Sequence, residues 1–343
     1  MNGMAHASGR PVLVTGATGF TGGHLVRALA EDGYQVRSIV RTASKARDLP
    51  VGVDVREADI TNPAEVARAM EGVGTVYHLA AAYREASHRE EGYWRVNVGA
   101  TRNLLEAAAA AGVERFVHCS TVGVHGHIAE PPADETAAYA PGDAYQRTKC
   151  EAEIMALSYA RNRGLPLTVA RPTAIYGPGD RRLLKMFRMV AKGTFVMLGK
   201  RDSYYHMVYV DDLIQGLRLL GSHPAAVGEV FILGGDRYYP LQTIAGMIAD
   251  LLGVRRPWLR LPAAPFQLAG SLCEAICVPF GIEPPIYRRR VDFFTKSRAF
   301  SIEKARRILG YNPRVPIETG LRHTLDWYLR SGLVTPRSVV AVE

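Results

Sequence analysis

A phenol and an ammonium four residues apart, in Tyr145-Gln146-Arg147-Thr148-Lys149, are groups whose types and spacing could do chemistry. On a helix, residues four apart lie one above the other, so the two would share a face. A cation beside a phenol stabilises phenolate and draws the tyrosine pKa down from about 10 toward the range of a working acid and base. Alone the spacing is a weak signal, because a Tyr and a Lys four apart recur by chance in large proteins. An upstream hydroxyl strengthens it. Cys119-Ser120-Thr121 closes an apolar run of strand type, where Thr121 or Ser120 would either polarise a reacting oxygen or satisfy its own backbone.

A second constellation lies near the start, in the segment PVLVTGATGFTGG from Pro11 to Gly23. The apolar run Val12-Leu13-Val14 is followed at once by Gly16, Gly19 and Gly22 and then by a stretch of helical periodicity. That order predicts strand, tight turn and helix. Glycines let the backbone approach a pyrophosphate without a Cβ in the way, and the helix N-terminus offers unpaired N–H groups and a positive dipole end. The spacing is GxxGxxG rather than the commoner GxGxxG, and its place directly after a strand points to a dinucleotide.

The elements that must position these groups alternate along the first two-thirds of the chain. Strands are predicted at Gln35–Val40, Val53–Glu57, Thr75–Leu79, Arg115–Ser120 and Leu167–Arg171, with helices at Gly22–Asp32, Pro63–Met70, Tyr93–Ala111 and Tyr145–Arg163. This rhythm predicts an α/β fold, a Rossmann-type doubly wound parallel sheet, with ligands beyond the carboxyl ends of its strands. After Tyr176-Gly177-Pro178-Gly179-Asp180 the rhythm changes. A helix is predicted at Arg182–Ala191, a strand at Tyr205–Val210 running into a helix that ends at Leu220, a strand at Val230–Leu233, and helices at Thr243–Leu252, Ser301–Leu309 and Glu318–Arg330. The domain reading is a dinucleotide-binding domain of residues 10–176 plus 207–235. A smaller substrate-binding lobe takes 177–206 and 236–330, and flexible tails take 1–9 and 335–343.

At 343 residues, 48% hydrophobic and 22% charged, the composition is that of a globular protein with a sizeable core. Met1 to Arg10 has no apolar stretch of secretory type and reads as a frayed tail or cloning remnant. Cys119, Cys150, Cys273 and Cys277 form no metal-ligand grouping, so no metal is expected and a reducing cytoplasm is the simplest compartment. The net charge of +9 is uneven: from 255 to 307 there are eleven Lys or Arg against four acids, a balance of +7. Such a patch faces an anionic substrate, an acidic membrane surface or only solvent; no nucleic-acid module accompanies it. Leu261–Gly281 is apolar, yet Pro262, Pro265, Pro279 and Glu274 argue against a span. It reads as an amphipathic helix covering a substrate cleft, with weak peripheral membrane contact as a second role. Tyr204, Phe266 and Leu268 would wall that cleft.

Taken together, Thr15-Gly16-x-x-Gly19-x-x-Gly22, Asp59-Ile60, His78-Leu79-Ala80-Ala81, Val96-Asn97, Ser120-Thr121, Tyr145-x-x-x-Lys149 and Arg171-Pro172-x-x-x-Tyr176-Gly177-Pro178-Gly179 resemble an extended short-chain dehydrogenase/reductase over about residues 10–330. The resemblance implies Tyr145 as acid/base, Lys149 holding the nicotinamide ribose, and Thr121 polarising the substrate, with Ser120 as a less favoured substitute. It implies a cofactor set of Gly16, Thr18, Gly19, Phe20, Gly22, Asp59, Ile60, Leu79, Ala80, Ala81, Asn97, Ser120, Tyr145, Lys149 and Pro172, with Asn97 as readily structural. At the end of the second strand stand Arg41 and Lys45 and no carboxylate, which favours NADP(H) over NAD(H). Val122 and Gly123 occupy the places where sugar-nucleotide dehydratases carry an Asp-Glu pair, so dehydration is disfavoured. Tyr204-Tyr205 stands where many epimerases carry an arginine. The family branch acting on hydroxysteroids and dihydroflavonols is therefore the nearer likeness, and a nucleotide-sugar 4-epimerase the alternative. A redox-sensing binding protein is a lesser alternative. Candidate substrate residues are Tyr83, His125, Tyr204, Tyr205 and Arg289, the last within an Arg288–Arg290 triplet suited to a diphosphate. A homodimer through the Tyr93–Ala111 and Tyr145–Arg163 helices is implied.

Overall fold

The computed structural model describes residues 9–83, 90–199, 202–277 and 288–334, and for Glu274 and residues 288–290 the backbone alone. Of the two predicted tails, residues 1–8 and 335–343 lie outside this description, as do the side chains of Arg289 and its two arginine neighbours.

In chain order the first half holds β1 (Val12–Thr15), α1 (Phe20–Glu31), β2 (Val36–Val40), β3 (Asp54–Glu57), α2 (Pro63–Met70), β4 (Thr75–His78), α3 (Glu90–Tyr93), α4 (Ala100–Ala110), β5 (Arg115–Cys119) and α5 (Ala144–Arg163). Then come β6 (Leu167–Pro172), β7 (Ala174–Tyr176), α6 (Leu184–Ala191), β8 (Met197–Leu198), β9 (Tyr204–Tyr205), β10 (Met207–Tyr209), α7 (Val210–Ser222) and β11 (Val230–Leu233). The chain ends with β12 (Tyr239–Pro240), α8 (Leu241–Leu252), β13 (Arg260–Leu261), α9 (Ala264–Cys277), α10 (Arg288–Thr295), α11 (Glu303–Leu309) and α12 (Ile317–Arg330).

Seven strands form one parallel sheet in the order β11-β6-β5-β4-β1-β2-β3. Every residue of β1 is buried, as required of a central strand covered on both faces. Successive side chains alternate. Val12 and Val14 pack with Leu25, Leu29, Leu213 and Leu217 on one face, and Leu13 packs with Val66, Leu104, Leu105 and Phe116 on the other. The chain leaves β1 for β2 and β3 on one side and returns to β4 on the other, so the loops after β1 and β4 part company. That divergence is the topological switch point where such sheets bind ligands. A third core, around Tyr176, Phe187, Ile244, Leu321 and Tyr328, belongs to the smaller lobe.

Three differences from the sequence reading bear on the site. The Tyr93–Ala111 helix is interrupted by a π-type turn over Trp94–Gly99, whose wider ring carries the buried Asn97. The Tyr205–Val210 strand is two strands: β9 pairs antiparallel with β12, and β10 pairs parallel with β7. Between them His206 gives its N–H to Arg298 O and places Nε2 against Gly235 O at 2.9 Å, which takes the chain from one pairing to the other. Leu268 is 64% exposed, so it walls no cleft.

The glycines of the first turn differ in what they permit. A Cβ on Gly22 would stand 2.1 Å from Gly16 O, whereas one on Gly23 would meet Ala17 O at an ordinary 3.4 Å. Urea unfolding of the two alanine variants should therefore split. Gly22→Ala is expected to lose about 1–3 kcal/mol or more, while Gly23→Ala is neutral or gains up to about 1 kcal/mol from helix propensity. Equal stabilities would contradict this packing.

Candidate active site

The glycine turn is pressed against the loop after β4. Gly16 has φ +76°, and a Cβ there would lie 2.8 Å from Ala80 N, so positive φ and close approach both require glycine. Gly19 N-caps α1 with no side-chain cap and no acid in the first turn. The first N–H groups of that helix are thus left to an anion. This fits a dinucleotide diphosphate, which Gly16, Gly19, Gly22 and the backbone at Thr18 and Phe20 would hold.

Beneath the loop runs a buried polar chain that sequence reasoning missed. Ala80 N–H donates to Thr15 Oγ1 (3.2 Å), Thr15 Oγ1 lies 2.8 Å from His78 Nδ1, and His78 Nε2 lies 2.9 Å from Thr101 Oγ1. Thr101 donates onward to Asn97 O at 2.7 Å. Because that proton is committed, His78 Nε2–H must donate to Thr101, leaving Nδ1 to accept from Thr15. The imidazole is neutral: burial pushes its pKa down to about 3, with the Lys149 charge adding to the shift. Asn97 accepts from Ala82 N–H (2.8 Å) and donates to Ala82 O (3.2 Å) and Thr148 Oγ1 (3.0 Å). Its amide ties the β4 loop to α5, a structural role.

Helix α5 is capped by Asp143, whose carboxylate accepts from Gln146 N–H. One turn later Lys149, 2% exposed, donates from Nζ to Cys119 O at 2.7 Å, the last carbonyl of β5. Burial lowers its pKa. A further turn on, Glu153 is fully buried and accepts from Ser120 Oγ (2.5 Å), Tyr139 OH (2.8 Å) and Arg171 Nε (3.0 Å) and Nη2 (2.5 Å). Tyr145, Lys149 and Glu153 stand at positions i, i+4 and i+8, a spacing that could have flagged the acid from sequence.

This network corrects two sequence assignments. Ser120 is turned into the buried Glu153–Arg171 pair, away from the open edge of the sheet. His125 is 1% exposed, with Nδ1 against Ala138 O (3.1 Å) and Nε2 accepting from Arg171 (2.9 Å), so it is packed under the site and unavailable to a substrate. Burial, then the Arg171 charge, lowers its pKa.

Thr121 is half-buried. Its Oγ1 accepts from Gly123 N–H at 3.0 Å, and its own O–H has no acceptor among the described residues, so it remains able to donate. Val122 and Gly123 follow it, both buried, so no carboxylate adjoins Thr121. The Tyr145 and Tyr83 rings are nearly perpendicular, with centroids 4.9 Å apart. Arg182, unremarked in the sequence, lies over both Tyr83 (5.8 Å) and Phe20 (5.6 Å), fixed by Asp180 Oδ1 (2.7 Å) and Ile175 O (2.9 Å). Phe20, Arg182, Tyr83 and Tyr145 thus form a row from the glycine turn to the first turn of α5. Tyr204 and Tyr205 diverge, their rings against Tyr238 and Phe293 respectively. Pro172 ends β6.

At the far edge of the sheet Arg41 and Lys45 are exposed and, among the described residues, their side chains make no hydrogen bond. Asp59 accepts from Thr61 N–H and Oγ1 (2.8 and 2.9 Å), which lowers its pKa, and Arg41 contributes to the shift. Ile60 is buried, with its carbonyl accepting from Asn103. One acid does reach this corner: Glu57, at the end of β3, accepts from Ala43 N–H at 3.2 Å. Strand pairing alone brings it there. No group of three His, Cys, Asp or Glu among the described residues is arranged to hold a metal.

A switch-point crevice lined by glycines and flanked by a Tyr-Lys helix is what an extended short-chain dehydrogenase/reductase requires. The model of the NAD dependent epimerase/dehydratase family matches residues 12–234, and the chain belongs to that family. It is 33% identical over 336 residues to the 3 beta-hydroxysteroid dehydrogenase/Delta 5-->4-isomerase of Mycobacterium tuberculosis, covering 93% of this chain and 90% of that protein. It is 29% identical over 324 residues to the 2-alkyl-3-oxoalkanoate reductase of Stenotrophomonas maltophilia, covering 91% and 97%. The crystal structure of gox2253 superposes with a TM-score of 0.81 at 30% identity, over 95% of this chain and 100% of that one. The protein is an enzyme of the short-chain dehydrogenase/reductase type, an oxidoreductase.

Burial also lowers the pKa of His118 and His206, and neither ring nitrogen of His118 finds a hydrogen-bond partner among the described residues. A histidine neutral in the fold but protonated when unfolded favours the unfolded chain as pH drops below its free value of about 6.5. Its stabilisation is therefore complete above about pH 6.5 and is lost toward the folded pKa. Each such histidine adds about 1.4 kcal/mol per pH unit to that fall. Urea unfolding between pH 7 and 5 should show a shallower decline by about that slope for His118→Leu, and an unchanged decline would contradict a neutral His118.

Proposed function

We propose that the enzyme interconverts a secondary alcohol and a ketone on an apolar skeleton, using NADP(H) in preference to NAD(H). The observation that carries the reading is the Lys149 ammonium held buried at the end of β5, with Tyr145 one turn before it and Thr121 two residues beyond its acceptor. In the oxidising direction Tyr145 takes the hydroxyl proton while Thr121 donates a hydrogen bond to the same oxygen and holds it in place. A bound nicotinamide supplies the chemistry of accepting hydride from the carbinol carbon, and of returning it in reduction. Lys149 favours the phenolate form of Tyr145 and would hold the ribose hydroxyls. Val122 and Gly123 offer no second acid/base, which supports simple redox chemistry over loss of water.

Both relatives carry names for oxidoreductases of carbonyl or hydroxyl groups on lipophilic molecules, which supports an apolar substrate here. Tyr83 and Tyr205, with Phe293 behind the latter, would give that substrate an aromatic wall. Arg41 and Lys45 would take a 2′-phosphate, against which Glu57 competes.

Tyr145→Phe should lower kcat by at least about 10²-fold with the cofactor Kd unchanged. Full activity in that variant would remove the assignment. NADPH consumption by wild type should be stoichiometric with ketone reduced, whereas a cofactor-retaining epimerase would show no net change. Arg41→Ala should weaken NADPH binding about tenfold and leave NADH binding nearly as before; tighter binding of NADH than of NADPH by wild type would end the cofactor reading.

A further inference from the structure

Two side-chain hydrogen bonds join α5 to adjacent residues at the carboxyl end of β5. Lys149 Nζ donates to Cys119 O at 2.7 Å, and one turn further along the helix Glu153 accepts from Ser120 Oγ at 2.5 Å. Positions four apart on a helix share a face, so one side of α5 holds the strand end at two points. A bond from the flexible lysine stem is by itself a pivot; the second bond fixes the angle. Glu153 is in turn held still. Arg171 of β6 meets its carboxylate through Nε (3.0 Å) and Nη2 (2.5 Å), and Tyr139 OH donates to it at 2.8 Å. A planar guanidinium fork fixes the carboxylate it grips. Glu153, Arg171 and Ser120 are 0%, 3% and 5% exposed, so water does not compete for these bonds.

The residue that follows this grip is Thr121. Ser120 N–H donates to Ala170 O at 2.7 Å, which sets the end of β5 against β6, and Thr121 then opens the short 3-10 turn Val122–His125. The sheet thus places Thr121 relative to β6, and the Ser120–Glu153 bond places it relative to α5, the helix that carries Tyr145. In the reaction proposed above the Thr121 hydroxyl and the Tyr145 phenol must reach one substrate oxygen from two different elements. A misplacement of about 1 Å between such groups costs up to about 10²-fold in rate. The single proton of Ser120 Oγ is committed to Glu153, so this hydroxyl serves position and not polarisation.

We infer that Ser120 and Glu153 are positioning residues that set Thr121 against Tyr145, a role that rests on the oxidoreductase reading. Ser120→Ala is the variant of choice, because it removes one donor and leaves the buried Glu153–Arg171 pair intact, whereas Glu153→Gln would strand a buried guanidinium. Tyr139→Phe is the matched control: it removes another donor from the same carboxylate without touching β5. Ser120→Ala should lower kcat about 10- to 100-fold with KM and cofactor Kd within about twofold of wild type, and Tyr139→Phe should keep kcat within about twofold. Amide hydrogen exchange, followed without cofactor or ketone, should quicken about tenfold or more over residues 120–126 in Ser120→Ala alone, with α1 exchanging as in wild type. Unchanged exchange over those residues would overturn the inference, and so would a rise spread over the whole chain. An equal fall of kcat in the two variants, or a wild-type kcat in Ser120→Ala, would overturn it as well. A wild type that reduces no ketone would instead end the oxidoreductase reading, and the exchange measurement would still decide whether Ser120 ties β5 to α5.

Discussion

A buried ammonium whose hydrogen-bond partner among the described residues is a neutral carbonyl is the constraint around which the active edge is built. Lys149 is almost wholly out of water and bonded to one strand-terminal carbonyl. The nearby carboxylate, Glu153, is fully engaged by Arg171, Ser120 and Tyr139. An unpaired charge in such surroundings is costly, and the two histidines beneath it stay neutral, as burial and the adjacent cation both dictate. The charge stands one helical turn after Tyr145, and α5 is fixed along three turns to hold it there: Asp143 at the cap, Thr148 to Asn97, and Glu153 to β6 through Arg171.

The same economy of contact governs the other side of the crevice. Gly16 and Gly22 permit approaches of backbone to backbone that a methyl group would forbid, and the loop after β4 settles onto that turn through Ala80, Thr15 and His78. One side of the crevice is thus fixed by absent side chains and the other by satisfied polar ones. Arg182 bridges the two by lying over Phe20 and Tyr83.

Much of this was legible in the sequence because it is local. Pro63–Met70 carries its own cap and proline, the β1 run is apolar throughout, and the glycines follow it directly. What escaped was decided by partners distant along the chain. Nothing near Trp94 announces a π-type turn; its purpose is visible only when Asn97 meets Ala82 and Thr148. Glu57 reaches the loop after β2 because β2 and β3 are paired, and Tyr204 and Tyr205 diverge because they are successive residues of one strand. His125 resembled a cleft residue until Arg171, 46 positions away, was found bonded to it. Leu268 resembled a wall because an apolar periodicity does not say which face of a helix meets water.

The central claim is that Tyr145 and Lys149 serve a net exchange of hydride between a dinucleotide and a carbinol carbon. The most direct test follows the hydrogen itself, with NADPH carrying deuterium at one or the other face of C4 and a cyclic aliphatic ketone as acceptor. The account predicts one deuterium on the carbinol carbon for each ketone reduced, from one of the two labelled faces only, with the hydroxyl proton drawn from solvent. Label retained on the nicotinamide while substrate turns over, or carbinol hydrogen derived from water, would contradict it.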